Sequence, residues 1–568
     1  MHQKKNGMIS RRQLLKLAVA GGSAIAVKDE SLVGFAHPSS LQVTGGVTHS
    51  PDPTSSKLSK SVLYYGKAEP LPKALKLQAG PLSMIFEPEE GFLRYIQIGD
   101  REVLRGIYAA VRNRNWGTIL PKVSDLKLES TRDSFRLAFD MVCKEREIDF
   151  SWKGIISGDP MGTLSFSLDG TARSTFLRNR IGFCVLHPIR ECAGRPCVVQ
   201  RVDGREEPGT FPNFISPHQP FKELKAISHE VFPGLSAEVR FQGEVFEMED
   251  QRNWTDASYK TYCTPLALPF PVEVKEGTKI VQSVGLTLKG KATSDLSRAG
   301  MGPSEVILSP SEKVSSVLPD IGLGTASLGR PLSEKEIGRL KALRLAHLRV
   351  DLNLSERNIA DVLRSAASEA RTLSLPLEAA LFLSDSAEEE LNRFEKELRL
   401  IKPRISRWLI FHVSEKSTNE KWVQIARRHL SPIDSKAKFG GGTNAYFTEL
   451  NRERPPLAAL DLVCYSINPQ VHAFDNATLV ENLEAQGYAV RSARQFIGGR
   501  PLAVTPVTLK PRSNPNATGA EAASGPGELP ASVDPRQMSL LGAGWTLGSL
   551  KYLAQSGVQS VTYYETIG

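Results

Sequence analysis

Several polar strings in the C-terminal half of the 568-residue chain carry residue types that open esters or acetals. His347, Arg349 and Asp351 alternate with Leu348, Val350 and Leu352, and in a strand that parity puts the three polar groups on one face. Thr443–Asn451 holds Asn444 and Glu449, Tyr465–Asp475 holds Asn468 and His472, and Tyr564 and Glu565 stand near the end. Glu449 and Glu565 are carboxylates from different segments, and such pairs work as acid and base when their surroundings separate their pKa values. His472 and Arg349 suit charge developing on a carbonyl oxygen; Asp351, Asn444, Asn468 and Tyr564 suit substrate hydroxyls. Each has a plainer use: Arg349 and Asp351 as a mutual pair, the glutamates as loop or cap residues, His472 as a bonded loop histidine. The chain has no G-x-S-x-G elbow, no H-E-x-x-H or close His pair, no Walker loop and no G-x-G-x-x-G opening a helix. Serine-hydrolase chemistry, a catalytic metal and a cofactor are therefore not expected, which leaves carboxylate-assisted water attack on a neutral polyol or ester.

To meet at one place, these strings must end neighbouring strands. Eight apolar runs alternate with helix-period stretches: 321–324, 347–352, 377–383, 408–413, 438–447, 462–467, 502–509 and 560–564. That order predicts a (β/α)8 TIM barrel over residues 315–568, with its site at the C-terminal strand ends. Capping boxes at Ser333–Glu336 and Ser386–Glu389 mark two of its helix starts. Residues 513–535 form a low-complexity loop after the seventh run, either a lid or a solvated insert. The sequence stops three residues past Glu565, so the barrel reads as truncated after strand eight. Upstream, residues 61–300 show short period-two runs such as Leu164–Leu168, the pattern of an antiparallel β-sandwich.

The first 36 residues read as an address. Ser10-Arg11-Arg12-Gln13-Leu14-Leu15-Lys16 and the apolar run after it resemble a twin-arginine signal. The run falls short of the ~20 residues that cross a bilayer, so no stable membrane anchor is expected. The translocase is then a partner during export, and the destination is periplasmic or secreted, or cytoplasmic if the signal is not used. Residues 37–60 are a flexible Ser/Pro/Thr/Gly lead-in. An oxidising compartment permits disulfides, and of six cysteines Cys192 and Cys197 are best spaced for one; free buried thiols are the alternative. The net charge is +9, of which +4 lies in the first 36 residues. With no basic run in the body, a nucleic-acid partner is not indicated.

The strings Arg178–Pro188, Ser216–Phe221 and above all Phe246-Glu247-Met248-Glu249-Asp250-Gln251-Arg252-Asn253-Trp254-Thr255-Asp256-Ala257-Ser258 resemble the D-apionate lactonase family. Gly441–Phe447, Ser466–His472 and Thr562–Thr566 add to the likeness, which runs over about residues 60–568. It implies a β domain, a TIM barrel and hydrolysis of a small sugar lactone, D-apionolactone, to its acid. Such members continue past the last strand, and an export signal is unusual among them. Within the long string, Glu247, Asp250, Arg252 and Asp256 either reach the barrel mouth or form an interdomain salt-bridged turn. The expectation is an exported lactonase with Glu449 as base, Glu565 as second acid/base and His472 with Arg349 on the carbonyl. A glycoside hydrolase using the two mouth carboxylates, or a non-catalytic carbohydrate-binding remnant, are the alternatives.

Overall fold

The computed structural model describes residues 58–291, 316–512, 529–530 and 532–568. The export string, nearly all of the lead-in and most of the 513–535 loop lie outside the described residues.

In the N-terminal domain the period-two text becomes strands with every second residue inside, as in Ile148–Gly158 and Leu164–Ala172. Seventeen strands between Leu75 and Gly290 join in one antiparallel hydrogen-bonded system, the expected sandwich. Aromatic rings fill its core: Phe139 stands 5.2 Å from Phe86 and 5.6 Å from Trp152, and Phe166 4.9 Å from Phe183. Such pairs add about 0.5–1.5 kcal/mol each to what their burial supplies. All six cysteines are free and buried, so Cys192 and Cys197 are not bridged. Both sit in the hydrophobic core, where a thiol behaves as a small apolar group.

Eight parallel strands follow: β1 (Asp320–Gly324), β2 (His347–Asn353), β3 (Leu377–Leu383), β4 (Ile405–His412), β5 (Lys438–Gly442), β6 (Leu462–Ile467), β7 (Leu502–Val507) and β8 (Ser560–Tyr563). They close into a barrel, β8 pairing with β1 from Asp320↔Ser560 to Leu323↔Tyr563. Its helices are α1 (Glu334–Lys341), α2 (Ile359–Leu373), α3 (Ala387–Ile401), α4 (Glu420–Leu430), α5 (Phe447–Arg452), α6 (Asn476–Glu481), α7 (Leu483–Ala493) and α8 (Leu540–Gln555). Helix α1 opens with the expected capping box, the Ser333 hydroxyl accepting from Glu336 N–H and the Glu336 carboxylate from Ser333 N–H. Helix α3 also starts after Ser386, but that side chain makes no cap bond. Buried Glu390 turns back instead, accepting from the Ser384 N–H at 3.0 Å and its hydroxyl at 2.6 Å.

The fifth strand is shorter than its apolar text. It ends at Gly442, whose φ of +139° is open only to glycine, and a Cβ there would stand 2.2 Å from Cys464 O. The Thr443 hydroxyl then accepts from Ala445 N–H at 2.9 Å, and the chain enters α5 at Phe447.

The barrel interior has two unlike halves. Ala380, Leu409, Phe411, Leu462, Cys464 and Ala503 form an apolar cluster from β3 to β7. Opposite them stand polar side chains from β2, β3, β7 and β8.

Candidate active site

Strand parity places the first layer. His347 and Arg349 point into the barrel, whereas Leu348, Val350 and Leu352 join the apolar cluster outside it, under the helices. Gly322 on β1 leaves the imidazole its space, since a Cβ there would lie 2.2 Å from His347 Nε2. A chain of hydrogen bonds crosses the interior. Arg349 Nη1 donates to the Thr505 hydroxyl at 2.9 Å, which donates to Glu378; Thr562 donates to the same carboxylate oxygen at 3.1 Å. With its one proton so used, Thr562 accepts from His347 Nε2–H at 2.8 Å. Burial drives the His347 pKa down to about 4, so the ring is neutral. Burial also opposes charge on Glu378, but the Arg407 and Arg349 guanidiniums, with the Thr505 hydrogen bond, outweigh it and hold the carboxyl below its ordinary range. Arg407 Nε is 3.4 Å from Glu378 Oε2.

Above this layer, at the C-terminal strand ends, two guanidiniums share two acceptors. Asp351 Oδ1 accepts from Arg349 Nε at 2.8 Å and Oδ2 from Arg512 Nη1 at 2.6 Å. Asn444 Oδ1 accepts from Arg349 Nη2 at 2.8 Å and Arg512 Nη2 at 2.7 Å. Arg349 and Asp351 do pair with each other, and the pair is also part of the mouth: Asp351 is 36% exposed. Burial would raise the Asp351 pKa, yet the two arginines pull it below the usual carboxylate range. The cluster carries two positive charges against one negative. A small pocket beside it is lined by Asn444, Tyr446, Ser466, Asn468, Thr508 and Arg512.

Tyr564 and Glu565 follow β8. The Tyr564 ring covers Gly324 at the end of β1, where a Cβ would meet it at 2.8 Å. Burial raises the phenol pKa, Glu565 and Asp351 adding to the effect. Glu565 Oε1 accepts from the Ser327 hydroxyl at 2.8 Å, and Oε2 is buried with no hydrogen-bond partner among the described residues. Burial pushes its pKa up.

Glu449 and His472 are placed differently. Glu449 is the third residue of α5, and its buried carboxylate accepts from Tyr446 N–H at 3.0 Å, capping its own helix. Among the described residues it shares no hydrogen-bond partner with Glu565. His472 Nδ1 lies 2.5 Å from Asp256 Oδ2 of the N-terminal domain, and the Asn482 amide donates to Asp256 Oδ1 at 3.0 Å. Burial raises the Asp256 pKa to about 8 and, with Lys260 and Arg112 nearby, drives His472 far down, so both are neutral at pH 7.

The string around Asp256 is bonded to the barrel and also touches the mouth. Thr255 donates to Asn468 O at 3.0 Å, and Thr448 to Asn253 O at 2.8 Å. The Asn451 amide donates to Asn253 Oδ1 and Ile215 O, both at 3.1 Å. Asp250 and Arg252 form a buried two-bond pair at 2.8 and 2.7 Å, and Arg252 also donates to Asn213 O and Pro212 O. Glu247 accepts from the Tyr262 hydroxyl and Leu266 N–H, both at 2.6 Å, within its own domain.

Sequence reading passed over Glu378, Arg407, Thr505 and Arg512. The inward parity used for β2 reaches Glu378 when applied to β3, but an otherwise apolar run hid it. Arg512 belongs to the segment after β7, where nothing in the text marks a turn back over the mouth. Among the described residues, no group of three or more His, Cys, Asp or Glu side chains is arranged for a metal, and no helix is long and apolar enough to cross a membrane.

Comparison with known proteins agrees with this architecture. The profile of the D-apionate lactonase N-terminal domain matches residues 62–291, and that of its TIM barrel domain residues 321–568. A D-apionate lactonase from Brucella anthropi is 34% identical over 517 residues, covering 88% of this chain and 83% of that one. Among solved structures, a galactose 1-epimerase from Lactobacillus acidophilus (8% identity, 40% of this chain and 98% of that one, TM-score 0.28) and a β-arabinopyranosidase (9%, 75% and 75%, TM-score 0.28) are weaker likenesses that say nothing of the site. With both domains matched in order and a relative aligned across them, the chain belongs to the D-apionate lactonase family, and with it to the lactonases, hydrolases of cyclic carboxylic esters.

Proposed function

We propose that the protein opens a small sugar lactone, D-apionolactone or a close branched-pentose analogue, at the mouth of its barrel. The observation that carries this reading is the pairing of a surplus positive charge with one under-bonded carboxylate. Arg349 and Arg512 are pre-oriented by Asp351 and Asn444, and Glu565 keeps a buried oxygen without a partner among the described residues. Lactone hydrolysis needs those two parts. Glu565 takes a proton from the attacking water, oxygen adds to the carbonyl carbon, and negative charge grows on the carbonyl oxygen facing the guanidiniums. The ring C–O bond then breaks, and the leaving alkoxide recovers the proton from Glu565. Asn444, Asn468 and Tyr564 line the place where substrate hydroxyls bind. Glu449 acts as a helix cap in this reading, and His472 works at the domain boundary rather than on the carbonyl. We further infer that the chain is exported through the twin-arginine route, from the Ser10–Lys16 string.

Proton release from D-apionolactone, measured beside a panel of other aldonolactones, tests the proposal. Glu565→Gln should lower turnover by about 10²–10⁴ with unchanged thermal unfolding. Near-parent turnover in that variant removes Glu565 as base, and no hydrolysis of any lactone by the parent removes the reading.

A further inference from the structure

We propose that the N-terminal domain carries a second ligand site, for a small polyhydroxylated carboxylate of the aldonate class, on the sheet face that looks away from its hydrophobic core. The strand Arg101–Asn113 pairs with the strand Phe176–Pro188, and their register sets Arg112 directly opposite Arg180. Like charges placed so are destabilising, and these are 8% and 4% exposed. Their bonds go to backbone: Arg112 Nη1 to Trp116 O at 3.2 Å, Arg180 Nη1 to Asn179 O at 2.6 Å and Nη2 to Pro265 O at 3.0 Å. Arg180 Nε is buried with no acceptor, and no carboxylate among the described residues ion-pairs with either guanidinium. Buried charge is ordinarily paired. Two opposed arginines with no carboxylate in ion-pair contact among the described residues leave a place for an anion.

The surroundings say what kind. Ala110 stands opposite Gly182 in the next position along the face. Beyond them Tyr108, Cys184 and Tyr262 stand side by side across three strands. Lys260 is already matched by Glu249 at 2.5 Å, and Glu247, bonded to the Tyr262 hydroxyl, acts on Arg180 from beyond ion-pair distance. Trp116 and Phe270, 5.0 Å apart, lie 5.3 and 5.0 Å from the Arg180 guanidinium. His472 reaches this face from the barrel through Asp256, and Arg112 and Lys260 help keep its ring neutral. Paired guanidiniums suit a planar carboxylate, and phenols with aromatic faces suit hydroxyls and the C–H face of a polyol. None of this depends on the reading of the barrel mouth.

Calorimetric titration of the full chain with D-gluconate, D-ribonate and inorganic phosphate tests it. An aldonate should bind and raise the unfolding temperature. Arg112→Met removes one of two opposed charges, so unfolding without ligand should stay level or rise, while aldonate affinity falls about tenfold or more. Arg180→Met serves as the second variant if the first does not fold. The proposal is overturned by an aldonate that binds both arginine variants like the parent, or by binding lost only in Glu565→Gln, which would make the barrel mouth the one site. Absence of aldonate binding to the parent overturns it too, and phosphate binding alone would assign the arginines to a different anion.

Discussion

Glu378→Gln keeps the shape of a fully buried side chain and removes its charge. The hydroxyls of Thr505 and Thr562 still find an acceptor in the amide oxygen. What is lost is the negative charge facing Arg407, 3.4 Å away, and Arg349. Removing one partner of a buried pair costs about 3–5 kcal/mol, and the retained hydrogen bonds put this variant near ~3 kcal/mol. At about 2–4 °C per kcal/mol for a domain near 250 residues, the barrel transition should fall by about 6–12 °C. Scanning calorimetry at pH 7 and in acid reads it. The folded pKa of Glu378 lies below its ordinary 4.5, so its contribution is complete above the unfolded value and fades as pH falls through the folded one. The gap between parent and variant must therefore close in acid. Adding Arg407→Met should restore part of the loss, because the two sites interact. A fall of less than about 2 °C at pH 7, or a gap that persists in acid, would refute Glu378 as the counter-charge of the barrel arginines.

Glu449→Gln should cost about 0.5–2 kcal/mol through the weakened start of α5 and leave lactone turnover within severalfold; a hundredfold loss with unchanged melting would return Glu449 to the chemistry. His347 has a folded pKa of about 4 against 6.5, so its stabilisation is present above pH 6.5 and lost as pH falls toward 4. That amounts to about 3 kcal/mol at most, and urea unfolding of His347→Gln should show a flatter pH dependence across that window. Replacing Arg11 and Arg12 by Lys should strand the protein in the cytoplasm, and fractionation showing unchanged export would reject the signal.

Much of the barrel was legible because burial imposes periodicity. Leu377–Leu383 and Leu462–Ile467 begin and end where the apolar text does, and parity on β2 assigned His347 and Arg349 to the interior. The miss at β5 has a physical cause: three glycines carry no pattern, and Ala445-Tyr446-Phe447 reads as strand although the positive φ of Gly442 has already ended the ladder. Carboxylate roles were less legible. Sequence places Glu449 after a strand, but whether such a residue faces substrate or its own helix depends on which backbone N–H is nearest. Pairings between domains, such as His472 with Asp256, join residues over two hundred positions apart and leave no local signal.

The asparagines and threonines that join the two domains also set limits on modularity. Asn451, Thr448 and Asn482 spend their side chains on the neighbouring domain's Ile215, Asn253 and Asp256, and Thr255 returns a bond to Asn468. A barrel cut loose would expose amides shaped for a missing partner, and a sandwich cut loose would leave Asp256 without its Asn482 and His472 contacts. Evolution can therefore exchange neither half alone without rewriting the other's contact residues, so the pair should be inherited, lost and recombined as one unit.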